Sequence, residues 1–311
     1  MSHPYPYSCT TAIPEIQYEE YNGARFAYVY WPAATEQTKG CIFVVHGFCE
    51  HTKLNNRLMD QLALKGYESF MFDQRGSGMT SPGRLRGLTN EKLVFDDLDH
   101  FLLKNLERCA ANDIPVFLFG HSMGGGIVLN YACHGTYRSR VAGFSTTGPL
   151  IELHASAKPM WITEKLSPLL ARCLPNMRID TKLNLDGISS DPAYRAFLQH
   201  DRPLSTPLIG SLRQIYDFLQ RGKALLDEKY VKDHFTRDKP VLVIHGTRDT
   251  VNDPAASKRF IDHVCPAPDR TLKLVEGARH SILSLEKDVF FNEAFDCFSA
   301  WLDQHVPASS A

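Results

Sequence analysis

Residues 116–133 read VFLFGHSMGGGIVLNYAC, and their order decides the fold. Val116–Phe119 form an apolar run too short for a helix, as a strand buried on both faces would be. A helical run, GGIVLNYAC, closes the stretch. Between them stands Gly120-His121-Ser122-Met123-Gly124. A strand-turn-helix with serine at its apex lifts the hydroxyl out of the sheet, and it brings the next backbone N–H, that of Met123, into the same space. Glycines at both ends permit the crowded turn. A serine hydroxyl is a poor nucleophile until a base removes its proton, so the motif calls for a histidine and an acid further along the chain.

In this arrangement the order is serine, then acid, then histidine. Asp249 lies in HGTRDT, directly after VLVI, and His280 lies in GARHSI, directly after TLKLVE. Both fall at carboxyl ends of expected strands, where open α/β sheets place their sites. The reading is therefore a triad of Ser122, Asp249 and His280: the imidazole takes the serine proton and returns it to the leaving alcohol, while Asp249 fixes its tautomer and stabilises imidazolium. Asp253 is the rival acid, but it precedes Pro254, as a helix N-cap followed by proline would. His46 and His245 each follow a strand in a His-Gly turn and are expected to organise loops. The loop after CIFVV (residues 41–45) supplies a second oxyanion donor in such a site, and the N–H of Phe48 is assigned to it. Cys49, one residue on, is expected to make the site sensitive to bulky thiol reagents. Glu50 and His51 lack the partner spacing of a metal site. Residues 73–78, DQRGSG, lack the GKS/T of a phosphate loop.

Outward from these motifs the pattern repeats. Strands are expected at 24–31, 41–45, 67–72 and 241–244, and helices at 91–108 and 288–302. Such alternation indicates βαβ units. It breaks between about Gly148 and Gly222, a helical but proline-interrupted stretch. The expected organisation is a core over residues 1–148, an inserted cap over 149–222, and the rest of the core over 223–311; the alternative, a second independent domain, would need its own core and clear linkers. The chain has 311 residues, 43% hydrophobic and 22% charged, with a formal net charge of −1. No global field favours a nucleic-acid partner. Eight scattered cysteines without a paired spacing suggest a reducing compartment. The first residues show no basic-then-apolar leader, and no apolar run approaches the length of a membrane span. Within the cap, Ile162, Leu166, Leu169, Leu170, Cys173 and Leu174 recur at helical spacing beside Trp161. With Lys158, Lys165, Arg172 and Arg178 nearby against Glu164, they read as an interfacial helix, the alternative being a stripe that packs on the core and roofs the acyl tunnel.

On these motifs the sequence resembles the monoacylglycerol lipases, in their fungal form. The resemblance runs from about Pro14 to Leu302. It rests on YESFMFDQRGSGMTSPGR (67–84), GHSMGGGIVLNYAC (120–133), DKPVLVIHGTRDTVNDP (238–254) and GARHSILSLEKDVF (277–290). The more specific segments are SSDPAYRAFL (189–198) and GSLRQIYDFLQRG (210–222), because the other motifs recur in many hydrolases. The resemblance implies an α/β-hydrolase fold, a mostly parallel sheet with helices on both faces and a helical cap. It implies cleavage of monoacylglycerols to fatty acid and glycerol without cofactor or metal, as the last step of triacylglycerol breakdown. It places a cytoplasmic protein peripherally on lipid droplets and endoplasmic reticulum membrane. The family's nucleophile, acid and base fall on Ser122, Asp249 and His280, and its oxyanion donors on Phe48 and Met123. One departure is Cys49, where many relatives carry glycine. The alternatives are a broader carboxylesterase or lysophospholipase with the same triad and, from another class, a non-catalytic binding protein on this fold.

Overall fold

The computed structural model describes residues 4–158, 161–202 and 204–306, with no side chains described for 161–166. The first strands, β1 (Gln17–Tyr21) and β2 (Ala24–Trp31), form a hairpin about Asn22-Gly23. Both turn residues have positive φ, 46° and 73°, which suits a tight two-residue turn. Then come β3 (Gly40–Val45), α1 (Asn56–Leu64), β4 (Tyr67–Phe72), α2 (Glu91–Ala110), β5 (Val116–His121), α3 (Met123–His134) and β6 (Gly143–Thr147). The chain then leaves the sheet for α4 (Trp161–Cys173), β7 (Arg178–Asp180), α5 (Leu185–Ile188), α6 (Pro192–His200), β8 (Ile209–Ser211), α7 (Leu212–Leu226) and α8 (Glu228–His234). It returns through β9 (Val241–Gly246), α9 (Pro254–Arg259), β10 (Arg270–Val275) and α10 (Asp288–His305).

Eight strands form one sheet in the order β1-β2-β4-β3-β5-β6-β9-β10. β2 runs antiparallel to β1 and β4, and the remaining pairs are parallel. The apolar runs are continuous because both faces are covered. Along β3, Cys41, Phe43 and Val45 enter the core beneath α2 and α3, while Ile42 and Val44 enter the core beneath α1 and α10. Phe101 of α2 anchors the first core. Its ring centroid lies 4.6 Å from Phe72, 5.2 Å from Phe26 and 5.8 Å from Phe70. No helix among the described residues is long and apolar enough to cross a membrane.

The structure adds elements that apolar patterning did not reveal. β6 reads GFSTT and is wholly buried between β5 and β9. Its hydroxyls hide it from a hydropathy reading, although Ser145 Oγ is satisfied by Leu118 O at 3.4 Å. Between β6 and β9 the expected helices are joined by the antiparallel pair β7–β8. α7 also runs through residue 222 to Leu226, so it straddles the second expected boundary. We propose that this excursion acts as a cap. A small cluster of Leu54, Ile188, Tyr194, Leu198, Val251 and Leu285 ties it to the loops above the sheet. Truncating Phe101 to alanine is expected to cost about 3–5 kcal/mol of stability, read as a lowered urea midpoint at unchanged slope.

Candidate active site

Ser122 follows β5 and precedes α3, with φ 55° and ψ −119°. A non-glycine residue in this region carries strain of order 1–3 kcal/mol and persists only where its surroundings impose it. Here three backbone bonds do so. Ser122 N donates to Thr147 O at 3.0 Å, and Ser122 O accepts from Gly126 N at 3.0 Å and Leu150 N at 2.9 Å. A Cβ on Gly124 would collide with the carbonyl oxygen of Val45, and one on Gly120 with that of Gly124. The two glycines let α3 begin directly against the end of β3.

Asp249 and His280 lie in the loops after β9 and β10, and both are buried. Asp249 Oδ2 accepts His280 Nδ1 at 2.7 Å, and Oδ1 accepts the N–H groups of Val251 and Asn252 at 2.7 and 3.0 Å. Burial alone would raise this carboxyl, but the charge of His280 and hydrogen bonds from His245 and His280 hold it well below the usual carboxylate range. Asp253 instead caps α9, its Oδ1 accepting Ala255 N at 2.9 Å.

The Phe48 loop is held from below. Glu50 Oε2 accepts Gly47 N at 2.8 Å, and Gln74 Nε2 donates to His46 O at 2.7 Å. Cys49 has φ 57°, the left-handed region that favours glycine. Its side chain is buried, with Sγ 3.4 Å from Ile209 O. Burial pushes this thiol up to about 12, which leaves almost no thiolate near neutral pH. The expectation that Cys49 reacts readily with thiol reagents is therefore corrected. The N–H groups of Phe48 and Met123 have no protein acceptor among the described residues, and both residues line the cavity that holds Ser122 and His280.

Sequence reasoning missed two neighbours. The ring of His121 lies 4.8 Å from that of His280, with Nδ1 3.0 Å from Thr147 Oγ1 and Nε2 3.4 Å from Glu50 Oε1. Burial pushes this imidazole down to about 4, so it stays neutral near pH 7. His245, expected only to organise its loop, also reaches Asp249. The signal for these residues was their place at strand ends beside the motif residues, which does not separate them from His46. Among the described residues, Cys41, Glu68 and Cys109 have side-chain donors close enough to share a metal ion. Glu68 is already engaged by Arg108 at 2.5 Å and Tyr30 Oη at 2.6 Å.

The cavity over Ser122 measures about 600 Å³. Leu150, Ile179, Leu183, Leu208, Ile215 and Phe218 supply apolar wall, and Glu50, Ser281 and Thr250 supply polar positions. This arrangement suits a long apolar substrate with a small polar head.

The family model described as "Serine aminopeptidase, S33" matches residues 36–288. The monoglyceride lipase of Saccharomyces cerevisiae is 53% identical over 307 residues, covering 97% of each chain. The chain belongs to the monoglyceride lipase family. A crystal structure of a soluble variant of the Saccharomyces cerevisiae monoglyceride lipase, in complex with a substrate analog, superposes with a TM-score of 0.94 at 52% identity, covering 98% of this chain and 100% of that one. More distantly, the monoacylglycerol lipase of Mycolicibacterium smegmatis is 25% identical over 294 residues, covering 91% of this chain and 95% of its own. Within this monoglyceride lipase framework the two acids should separate in assay. Asp249→Asn is expected to lower kcat by on the order of 10⁴. Asp253→Ala is expected to leave kcat in place and cost about 1 kcal/mol of stability, measured by thermal unfolding.

Proposed function

We propose that this protein is a serine hydrolase that cleaves monoacylglycerols to free fatty acid and glycerol through an acyl-enzyme, the last step of triacylglycerol breakdown. The observation that carries the reading is the largely apolar cavity of about 600 Å³ that ends on Ser122 and His280. Asp249 occupies Nδ1 of His280, which leaves Nε2 to take the Ser122 proton. Ser122 Oγ then attacks the ester carbonyl, and the N–H groups of Phe48 and Met123 receive the developing oxyanion. His280 passes the proton to the glycerol oxygen as the C–O bond breaks. Water, deprotonated by the same imidazole, then releases the fatty acid and restores Ser122.

The test is hydrolysis of mono-, di- and triacylglycerols and a lysophospholipid, for wild type and Ser122→Ala. Monoacylglycerol is expected to give the highest kcat/KM. Ser122→Ala is expected to lose about 10⁶ in kcat, together with all fluorophosphonate labelling, and to unfold at the wild-type temperature. A lysophospholipid hydrolysed faster than monoacylglycerol would replace the substrate. Full turnover by Ser122→Ala would remove the mechanism.

We also propose that the protein works in the cytoplasm, bound peripherally to lipid droplets and endoplasmic reticulum membrane, and takes substrate directly from the lipid surface. Such transfer spares the acyl chain a passage through water, worth about 0.8 kcal/mol per CH₂. Support comes from the end of α4 and the turn after it. Leu169, Leu174 and Met177 are 60%, 49% and 52% exposed, beside exposed Arg172 and Arg178. The side chains of Trp161, Ile162, Lys165 and Leu166, read as part of the same stripe, lie outside the described residues. Leu170 is half-buried and Ala171 buried, so the helix packs inward on one side. Replacing Leu169, Leu174 and Met177 together by serine is expected to weaken co-sedimentation with phospholipid vesicles while leaving turnover of a water-soluble short-chain ester unchanged.

A further inference from the structure

Asp249 receives a hydrogen bond from a residue outside the triad. Its Oδ2 lies 2.7 Å from His280 Nδ1 and also 3.0 Å from His245 Nε2. His245 is the penultimate residue of β9 and has no solvent exposure. On the far side of its ring, Nδ1 lies 2.8 Å from Oγ of Ser257, a fully buried residue of α9. An ionised carboxylate only accepts, so Nε2 of His245 carries a proton. In the neutral ring Nδ1 then accepts the Ser257 hydroxyl. The line from Ser257 through His245 to Asp249 leaves no polar atom of the three side chains unpaired, since Asp249 Oδ1 already accepts from Val251 N and Asn252 N.

We propose that His245 is a positioning residue for the triad, with Ser257 holding its tautomer. The inference rests on the catalytic role proposed for Asp249. Oδ1 is anchored by two backbone donors, and Oδ2 must present one lone-pair direction to His280. The Nε2–H of His245 occupies the other direction and stops the carboxylate from swinging. It also draws on the carboxylate charge, because a hydrogen bond to an ionised acceptor is of the strong kind. Asp249 therefore stabilises the imidazolium of His280 less than a carboxylate with a single side-chain donor would. Loss of the His245 donor misaligns the base and at the same time raises its proton affinity. Among the described residues, the other titratable groups against His280 are the His121 ring, with Glu50 behind it, and His245 meets Ser257 and Asp249. Substitution at position 245 leaves all of these in place.

The experiment compares His245→Leu, His245→Gln, Ser257→Ala and Asp249→Asn in the full chain, on a soluble short-chain ester. It reads kcat, KM and the pH profile of kcat/KM. Leucine fills similar space without a donor, and glutamine restores an N–H at similar reach. His245→Leu is expected to lower kcat by about tenfold to a hundredfold with KM changed less than about twofold, and to move the acid limb of kcat/KM to higher pH. His245→Gln is expected to recover most of kcat and return the limb. Ser257→Ala is expected to show a smaller loss in the same direction, and it carries the test if the leucine variant does not fold. Equal losses in the leucine and glutamine variants with the acid limb unmoved would reduce His245 to a space-filling residue and overturn the proposal, as would wild-type kcat in His245→Leu. Wild-type activity in Asp249→Asn would overturn the triad reading itself, a result distinct from failure at position 245 alone.

Discussion

The carboxylate of Asp249 is 2% exposed, and much of the surrounding structure keeps it charged. An isolated buried carboxylate would take up a proton, because desolvation is too costly to leave it ionised. Asp249 avoids this with four donors: two backbone N–H groups from its own turn and two imidazoles from β9 and the loop after β10. The same turn is tied to β6, since Asn252 Nδ2 donates to Gly148 O at 2.8 Å. Gly148 has φ 48°, and a Cβ there would come within 3.3 Å of Asp249 Oδ2 and 3.2 Å of His280 Nδ1. The charge thus constrains the ends of three strands at once.

Ser122 depends on that frame through geometry. Ser122 is held at positive φ by bonds to Thr147 at the end of β6 and to Leu150 just beyond it. The segment that carries Gly148, beside Asp249, therefore also carries the acceptor and donor that impose the turn at Ser122. Strain at Ser122 and charge at Asp249 are supported by one stretch of chain, residues 147–150.

His280 is held from the opposite side. Ser281 N donates to Ile188 O at 2.9 Å, and Arg279 N and Ser190 N both donate to Glu286 Oε1 at 3.0 Å. Glu286 has no solvent exposure. The loop bearing His280 is consequently bonded to the excursion between β6 and β9, which also walls the cavity. The cavity wall and the position of His280 share these contacts.

Ser122, Asp249 and His280 were legible in the chain as candidates because each is announced locally. A buried strand is a short apolar run, the turn that follows must be glycine-rich, and a proline after Asp253 marks that residue as a cap. β6 was not legible, because GFSTT is buried by its neighbours on both sides rather than by its own hydropathy. The β7–β8 pair was not legible either, since three-residue strands carry too little pattern. At the site, sequence reading determined the identities of Ser122, Asp249, His280, Phe48 and Met123 as candidates, because the chemistry restricts residue type at strand ends. It could not rank the histidines beside them. His46, His121 and His245 all stand next to glycine at the end of a strand, and nothing local says which one meets a carboxylate. Only the packing of β9 against β6 and β10, with α9 laid over β9, put His245 between Ser257 and Asp249. Only the packing of β8 beside the loop after β3 covered Cys49, whose Sγ lies 3.4 Å from Ile209 O and whose thiol burial keeps protonated. Hydrogen-bond partners distant in sequence are chosen by the tertiary arrangement, because each side chain's reach is a few ångströms and the strands that aim it are set by the whole sheet.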